Sequence, residues 1–348
     1  MATLKDVATL AGVGMSTASR AISGKGPVSA EALRKVQAAV EQLHFRPSSI
    51  GRSLSTQSLG IIGIYTPSFF GAYYGTILQQ TDIELRAIRR HVVVASGCGD
   101  GNRRDETIEA VKFLIDRDCD GIVVLAHDLR EEDMLLLRGM HAKIAFLNRR
   151  NPHAPETSFC PDHFHGGELA AQALLAAGHR QLAVISGPPD AYDNIARMNG
   201  FFAELQRHGI KRDAVRLVTS DFSREGGYAA AQQLLEGERN FTAVFCANDE
   251  MAVGALSLLQ QRGISVPDDV SVIGYDDDYT AEYATPGLTS VHIPMREVTR
   301  NAVRWLLNLC YGTGHEIVRE YPLTISHRAT LAAPRWPHHI SKPTDATR

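Results

Sequence analysis

"GVGMSTASRAISG", residues 12–24, lies between two other short segments that repeat apolar residues at helical spacing. A helix is predicted from Gly14 or Met15 to Ser23, with Ala18, Ala21 and Ile22 turned inward. Before it, Thr3-Leu4-Lys5-Asp6 reads as a capped helix start, Leu4, Val7, Ala8 and Ala11 form one apolar face, and Gly12 stops the helix. After it, Ser29 caps a third helix carrying Val36, Ala39, Val40 and Leu43. Three short helices with a tight glycine turn between the first two form a helix-turn-helix pattern. Ala8, Ala11 and Ala18 are small enough for the crossing helices to approach closely.

The outward face of the middle helix carries Met15, Ser16, Thr17, Ser19 and Arg20. A merely solvated face, as in a plain three-helix bundle, more usually shows Glu and Lys. Short polar groups with one Met and one Arg can instead reach base edges, Arg suiting guanine and Met a thymine methyl. Charge agrees with that reading. Residues 1–57 hold seven Lys/Arg against three acids, so this segment is +4 and the rest of the −3 chain is −7. A basic terminal module on an acidic body suits a nucleic-acid partner at one end only.

At 348 residues, 44% hydrophobic and 22% charged, the chain is expected to form two or three ordered domains. "MATLKDVATL" has no basic stretch leading into an apolar one, so no secretory signal is expected. No run of about 18 apolar residues occurs, so no membrane partner is expected. Cys98, Cys119, Cys160, Cys246 and Cys310 are odd in number and scattered, which fits reduced thiols and a cytoplasmic location.

From Leu59 onward the chain alternates apolar strand candidates ("GIIGIY", "HVVVA", "GIVVL", "KIAFL", "LAVIS", "AVFCA", "VSVIGY") with amphipathic helices. Near-continuous apolar strands separated by helices predict α/β layers with parallel sheets covered on both faces. The pattern runs about twice, breaking near Cys160, and ends with a long helix over Arg296–Tyr311 followed by two short strands. In such sheets ligands gather at the carboxyl ends of strands. The residues placed there include four aromatics in six positions, Phe69, Phe70, Tyr73 and Tyr74, and then Asn148, Asp162, Arg197, Phe222, Asn248 and Asp276. Together they offer hydroxyl acceptors, donors and apolar ring faces, which suits a polyol.

The motifs "DVA..AGV", "S.ASR.I", "VS.E...KV..A", "RP" and "R.L" make the opening resemble the DNA-binding head and hinge of the lactose/galactose-repressor (LacI/GalR) family of bacterial regulators. The resemblance extends to about residue 336 and is nearest to the galactose and aryl-β-glucoside repressor branch. It implies an all-α helix-turn-helix head (1–46), a hinge helix or linker (47–58) and a two-lobed, periplasmic-binding-protein-like α/β core (59–336). The first lobe is expected from 59–160 plus 291–321, the second from 161–290 plus 322–336, with a disordered tail at 337–348. It implies Met15 and Ser16 as base readers, Arg20 on bases or phosphate, and Lys5, Thr17 and Ser19 on the backbone. Ile50 and Leu54 lie four apart on the hinge, where Leu54 of each subunit would wedge into the minor groove. Gly14 departs from the family's usual Ser at the recognition-helix cap, which removes a hydroxyl contact to phosphate. Arg197, Asn248 and Asp276 are implied as the regular polar anchors of the effector.

The leading expectation is therefore a homodimeric repressor of sugar-utilisation genes, released from a palindromic DNA operator when a sugar, a galactoside or β-glucoside, enters the cleft. A corepressor-dependent repressor or an activator of the same fold is the alternative, and a sugar-binding protein without DNA binding a more remote one. No enzyme, cofactor or metal is expected. "SGCGDGN" (96–102) lacks both GxGxxG and a Walker lysine, no nucleophile triad has supporting context, and Cys160, Asp162, His163 and His165 crowd one turn too tightly to share an ion.

Overall fold

The computed structural model describes residues 2–24, 26–45, 58–97, 103–125, 127–237 and 239–335. The hinge residues Ile50 and Leu54 and the tail 337–348 lie outside these. The chain divides into two compact units, Met1–Gly60 and Ile61–Arg348.

In the first unit, α1 (Leu4–Ala11) opens on a reciprocal cap: the Thr3 hydroxyl accepts from the Asp6 amide, and the Asp6 carboxylate accepts from the Thr3 amide at 2.8 Å. Gly12 closes it in the left-handed conformation, φ 64°, which only glycine adopts freely. Helix α2 (Met15–Ser23) starts at Gly14 without a side-chain cap, and α3 (Ala30–Gln42) starts from Ser29, whose hydroxyl accepts from Ala32. Val7, Ala8, Ala11, Ala18, Val36 and Ala39 form the core, with Ala21, Ile22, Val40 and Leu43 at its margin. Alanine dominates because the helices cross closely, and Ala18 is wholly buried at the crossing.

The second unit has two lobes. The first is a parallel sheet in the order β2-β1-β3-β4-β5, built from β1 (Ile61–Thr66), β2 (His91–Ser96), β3 (Gly121–Leu125), β4 (Ile144–Leu147) and β5 (Ser158–Phe159). Helices α4 (Ala72–Ala87), α5 (Arg103–Asp116) and α6 (Glu131–Met140) alternate with these strands. The second lobe contains α7 (His163–Ala176), β6 (Leu182–Ser186), α8 (Tyr192–Arg207), β7 (Arg216–Thr219), α9 (Arg224–Leu235), β8 (Ala243–Cys246), α10 (Asp249–Gln261), β9 (Ser271–Asp276), α11 (Tyr279–Tyr283) and β10 (Thr289–His292). The chain then returns to the first lobe as α12 (Met295–Tyr311), and β11 (Thr324–Ser326) closes the second sheet antiparallel to β10. That sheet runs β11-β10-β9-β8-β6-β7.

Strand β10 pairs along its whole length with β9, so the chain leaves the second lobe after His292, two residues beyond the 290/291 boundary read from the sequence. One strand, not two, follows α12 among the described residues, because β10 precedes that helix. Helix α12 covers β3, β4 and β5 and packs beside α4, with Val303, Leu306 and Leu307 buried, Trp305 against Phe159 at 6.0 Å and Arg304 on Glu84 at 2.7 Å.

Two helix pairs stiffen the second lobe through glycine. Helix α7 crosses α8 with Gly167 against the Arg197 carbonyl and Gly200 against the Phe164 carbonyl. Helix α9 crosses α10 in the same way, Gly227 against the Met251 backbone and Gly254 against the Arg224 carbonyl. At each of the four points a Cβ would fall within 3.0 Å of backbone, so the absence of a side chain is what lets the axes approach.

Candidate functional site

On α2, Met15, Ser16, Ser19 and Arg20 are exposed and Thr17 is half-buried; Lys5 on α1 is exposed as well. Met15 is 57% exposed, a large apolar side chain left in solvent at the first position of the helix. The Arg20 Nε–H donates to the Ser16 carbonyl at 3.2 Å, which lays the guanidinium along the same face. The inward face is held by the head's core, so the outward row is presented by a fixed helix. Because the N-cap is glycine, the first-turn amides of α2 have no side-chain acceptor. The Thr17 amide turns back to the Gly14 carbonyl at 2.9 Å, which leaves the amides of Met15 and Ser16 at the helix start to face an anion such as a phosphate.

In the second unit the strand ends converge. Asn148 follows β4, Phe222 follows β7, and Asp276 ends β9; all three have positive φ, at 59°, 69° and 109°. For side chains other than glycine such conformations cost free energy and cluster at functional sites. Phe222 is the least comfortable, and it is pinned: its carbonyl accepts from Asn248 Nδ2 at 3.0 Å, and its ring occupies the space that a Cβ on Gly187 would fill. Asn248 is thereby a structural hub, since its Oδ1 also caps α10 through the Met251 amide at 3.0 Å.

Arg197 is 2% exposed, buried against Tyr275 next to Asp276. It donates to the Ala247 carbonyl and to Asp193 Oδ2 (3.4 Å), and its guanidinium stacks on the Tyr275 ring at 3.6 Å. Its charge is already committed within the protein. Burial opposes ionisation, but Tyr275, Asp193 and Asp276 keep it firmly protonated. Asp276 is the reverse case. No described residue hydrogen-bonds its carboxylate. Burial raises its proton affinity well above the carboxylate range; Arg197 counters, and Asp278 and Asp193 add to the rise. It lines a cleft of about 270 Å³ with Tyr73, Thr76, Tyr279 and Met295. Asp249 lies beneath it, fully buried, accepting from the Ser290 hydroxyl at 2.6 Å and the Asp278 amide at 2.9 Å.

Tyr73 and Tyr74 meet edge to face at 5.6 Å, and the Tyr73 hydroxyl touches the Met295 sulfur at 3.6 Å. Phe69 and Phe70 are exposed instead, 57% and 88%, and make no ring contact with this cluster among the described residues. Asp162 caps α7 through the His165 amide at 3.1 Å and stands exposed beside Arg150. The turn considered for a metal is otherwise engaged: Cys160 points to the Pro161 carbonyl, His165 to Glu168, and His163 into the core.

Asp193 and His127 escaped the sequence reading, and His163 was weighed there only as a metal ligand. Asp193 accepts from His127 at 3.2 Å and from Asn148 Nδ2 at 3.2 Å. His163 joins Asn148 Oδ1 (2.5 Å) to the Tyr275 hydroxyl (2.9 Å). The one signal in the sequence was the Asp193/Arg197 spacing of four on a helix.

Residues 3–48 match the family model for bacterial regulatory proteins of the lacI family, and residues 171–331 match the periplasmic binding protein-like domain. The transcriptional repressor PurR of Vibrio atlanticus is 34% identical over 91% of this chain and 94% of its own length. The chain belongs to the LacI family. This LacI-family protein is a DNA-binding transcriptional repressor and not an enzyme. A LacI-family regulator from Burkholderia phymatum is 64% identical, covering 78% of this chain and 99% of that structure at a TM-score of 0.77. The lac repressor dimer bound to operator and the anti-inducer ONPF aligns over 95% of this chain and 99% of its own at 28% identity and a TM-score of 0.82.

Proposed function

We propose that this LacI-family repressor acts as a cytoplasmic homodimer whose two heads hold a palindromic operator and leave it when a neutral sugar occupies the cleft. The observation that carries the reading is the contrast between Asp276 and Arg197. A desolvated carboxylate without a protein donor gains most from a ligand hydroxyl, which supplies a proton donor at no charge cost. Arg197, the buried guanidinium among the described residues, is engaged by Asp193, Ala247 and Tyr275, and Arg328 in the cleft wall is paired with Asp277 at 2.7 Å. Arg296 at the rim is the cation left to a ligand, against the carboxylates of Asp276, Asp278, Glu282 and Glu297 in the same lining. Tyr73 and Phe222 supply apolar faces for a pyranose ring. Of the expected DNA contacts, Met15 and Ser16 are the base readers, Arg20 contacts bases or phosphate, and Lys5, Thr17 and Ser19 contact the backbone. Ile50 and Leu54 would complete the site in the minor groove.

A second reading keeps the same fold with a planar corepressor stacked on Tyr73 and Phe222; the similarity to PurR favours it. Fluorescence anisotropy on the upstream DNA of its own gene, with panels of sugars and of free purine bases, separates the two. Release by a sugar supports induction. Tight binding that appears only with a purine overturns it. A protein with sugar affinity and no specific DNA affinity would overturn the regulator reading altogether.

A further inference from the structure

The hydrogen bonds around Asp193 do more than line a pocket, because they join the two lobes. His127 and Asn148 follow β3 and β4 of the first lobe, while His163, Asp193 and Tyr275 belong to the second. Their polarity can be worked out from chemistry. Asp193 as a carboxylate only accepts, so Asn148 turns its amide nitrogen to it and its carbonyl oxygen to His163 Nε2. Nε2 is then the protonated nitrogen of His163, and Nδ1 accepts from Tyr275. The chain of donors runs Tyr275 to His163 to Asn148 to Asp193, and His127 donates to Asp193 from the other side. Three of these bonds cross between the lobes, His127 to Asp193, Asn148 to Asp193 and His163 to Asn148, and exist only while the lobes are together; Tyr275 to His163 and Arg197 to Asp193 stay within the second lobe.

We propose that His127 and Asp193, braced by Asn148 and His163, form a clasp that holds the cleft closed and opens when His127 gives up its proton. Opening separates an imidazolium from a carboxylate, both nearly buried. Burial disfavours the charged imidazole, but the Asp193 charge and hydrogen bond outweigh it, and the His127 proton is held above its ordinary value. The groups facing the pair are Arg197 on α8, Asp128 beside His127, His163 at the α7 end, Tyr73 and Tyr74 from α4, Asp276 at the end of β9 and Cys160 after β5. The two histidines act with opposite sign. Burial first, then Arg197, pushes His163 down to about 3, so it is neutral when closed and gains a proton readily only when exposed. Acid below its ordinary value of 6.5 therefore favours opening through His163, and alkali favours opening through His127. Closure is strongest between the two limbs.

The test needs no effector. Amide hydrogen exchange of the full chain is followed by mass spectrometry at pH 6.5, 7.5 and 8.5, with rates corrected for intrinsic pH dependence. Residues 121–125, 144–148 and 187–198 are expected to lose protection as pH rises, by up to tenfold per unit for one linked proton. Helices α9 and α10 should not change. His127→Gln should exchange at every pH as fast as the wild type at pH 8.5. Asp193→Asn, which cannot pair ionically, should also lose the pH dependence. A wild type whose cleft segments show no pH dependence overturns the clasp, and this outcome stands even if both variants fail to fold. His127→Gln retaining the wild-type loss of protection overturns it as well.

Discussion

Replacing Gly200 with alanine tests whether the α7/α8 crossing places the site. A Cβ there would lie well inside 3.0 Å of the Phe164 carbonyl, a backbone group held in α7 that cannot swing aside. Overpacking typically costs about 1–3 kcal/mol, and a backbone obstacle argues for the upper end. Alanine returns about 0.5–1 kcal/mol through helix propensity, leaving a net loss of about 2–2.5 kcal/mol. For a domain of this size that is a fall of roughly 4–10 °C in melting temperature. Gly139→Ala is the matched control: Gly139 lies in α6, exposed, with nothing within 4 Å of its would-be Cβ. There the propensity gain stands alone, and the melting temperature should rise slightly. Scanning calorimetry of both variants reads the pair. Gly200→Ala melting at or above the wild type would refute the argument that backbone contact sets this crossing. Because Arg197 lies one turn away, the same variant should also weaken effector response beyond what its stability loss explains.

Arg20→Ala should weaken operator binding by about 1–3 kcal/mol per half-site and leave the cleft's ligand affinity unchanged, as read by anisotropy and calorimetric titration. Asp276→Ala should abolish release by the effector while the melting temperature holds or rises, since a desolvated carboxylate without a partner is removed. A melting temperature several degrees lower would contradict its assignment as a ligand group. Asp277 has its burial outweighed by hydrogen bonds from His292, Ser326 and Arg328, which hold it at about 2 against an ordinary 3.8. A carboxylate depressed on folding stabilises above its unfolded value and ceases to as pH falls through the folded one. The contribution is about 2 kcal/mol, so Asp277→Asn should lower the melting temperature at pH 7 and differ little from the wild type near pH 2. Thermal melts across that range check it.

Much of this was legible because it rests on local pattern. Thr3, Gly12 and Ser29 punctuate the head through caps that any reader of a sequence can find, and the alternation after Leu59 reports buried parallel strands directly. The parts that escaped lack such a signature. Strand β7 is a four-residue element of alternating exposure, β5 has two residues, and α6 is a ten-residue helix outside the repeating pattern. Asp276, which lines the cleft, and Arg197 and Asn148, which are buried near it, could be picked from their places after strands. Asp193, His127 and His163 could not, because their meaning lies in partners 15 to 112 residues away in the chain. Asn248 and Asp162 illustrate the converse, since a residue at a strand end can be occupied with capping the next helix.

Helix α12 has a bearing on how the protein is made. The strands it covers are complete once Phe159 has been synthesised, yet Val303, Leu306 and Leu307 arrive about 150 residues later. At bacterial elongation rates that interval is roughly 10–30 s, during which the second lobe is being translated as an insertion within the first. One face of β3, β4 and β5 stays bare on the ribosome for that time, an apolar surface that chaperones bind and that aggregation starts from. A nascent chain stalled before Met295 should therefore be a chaperone client, and one released after Tyr311 should not.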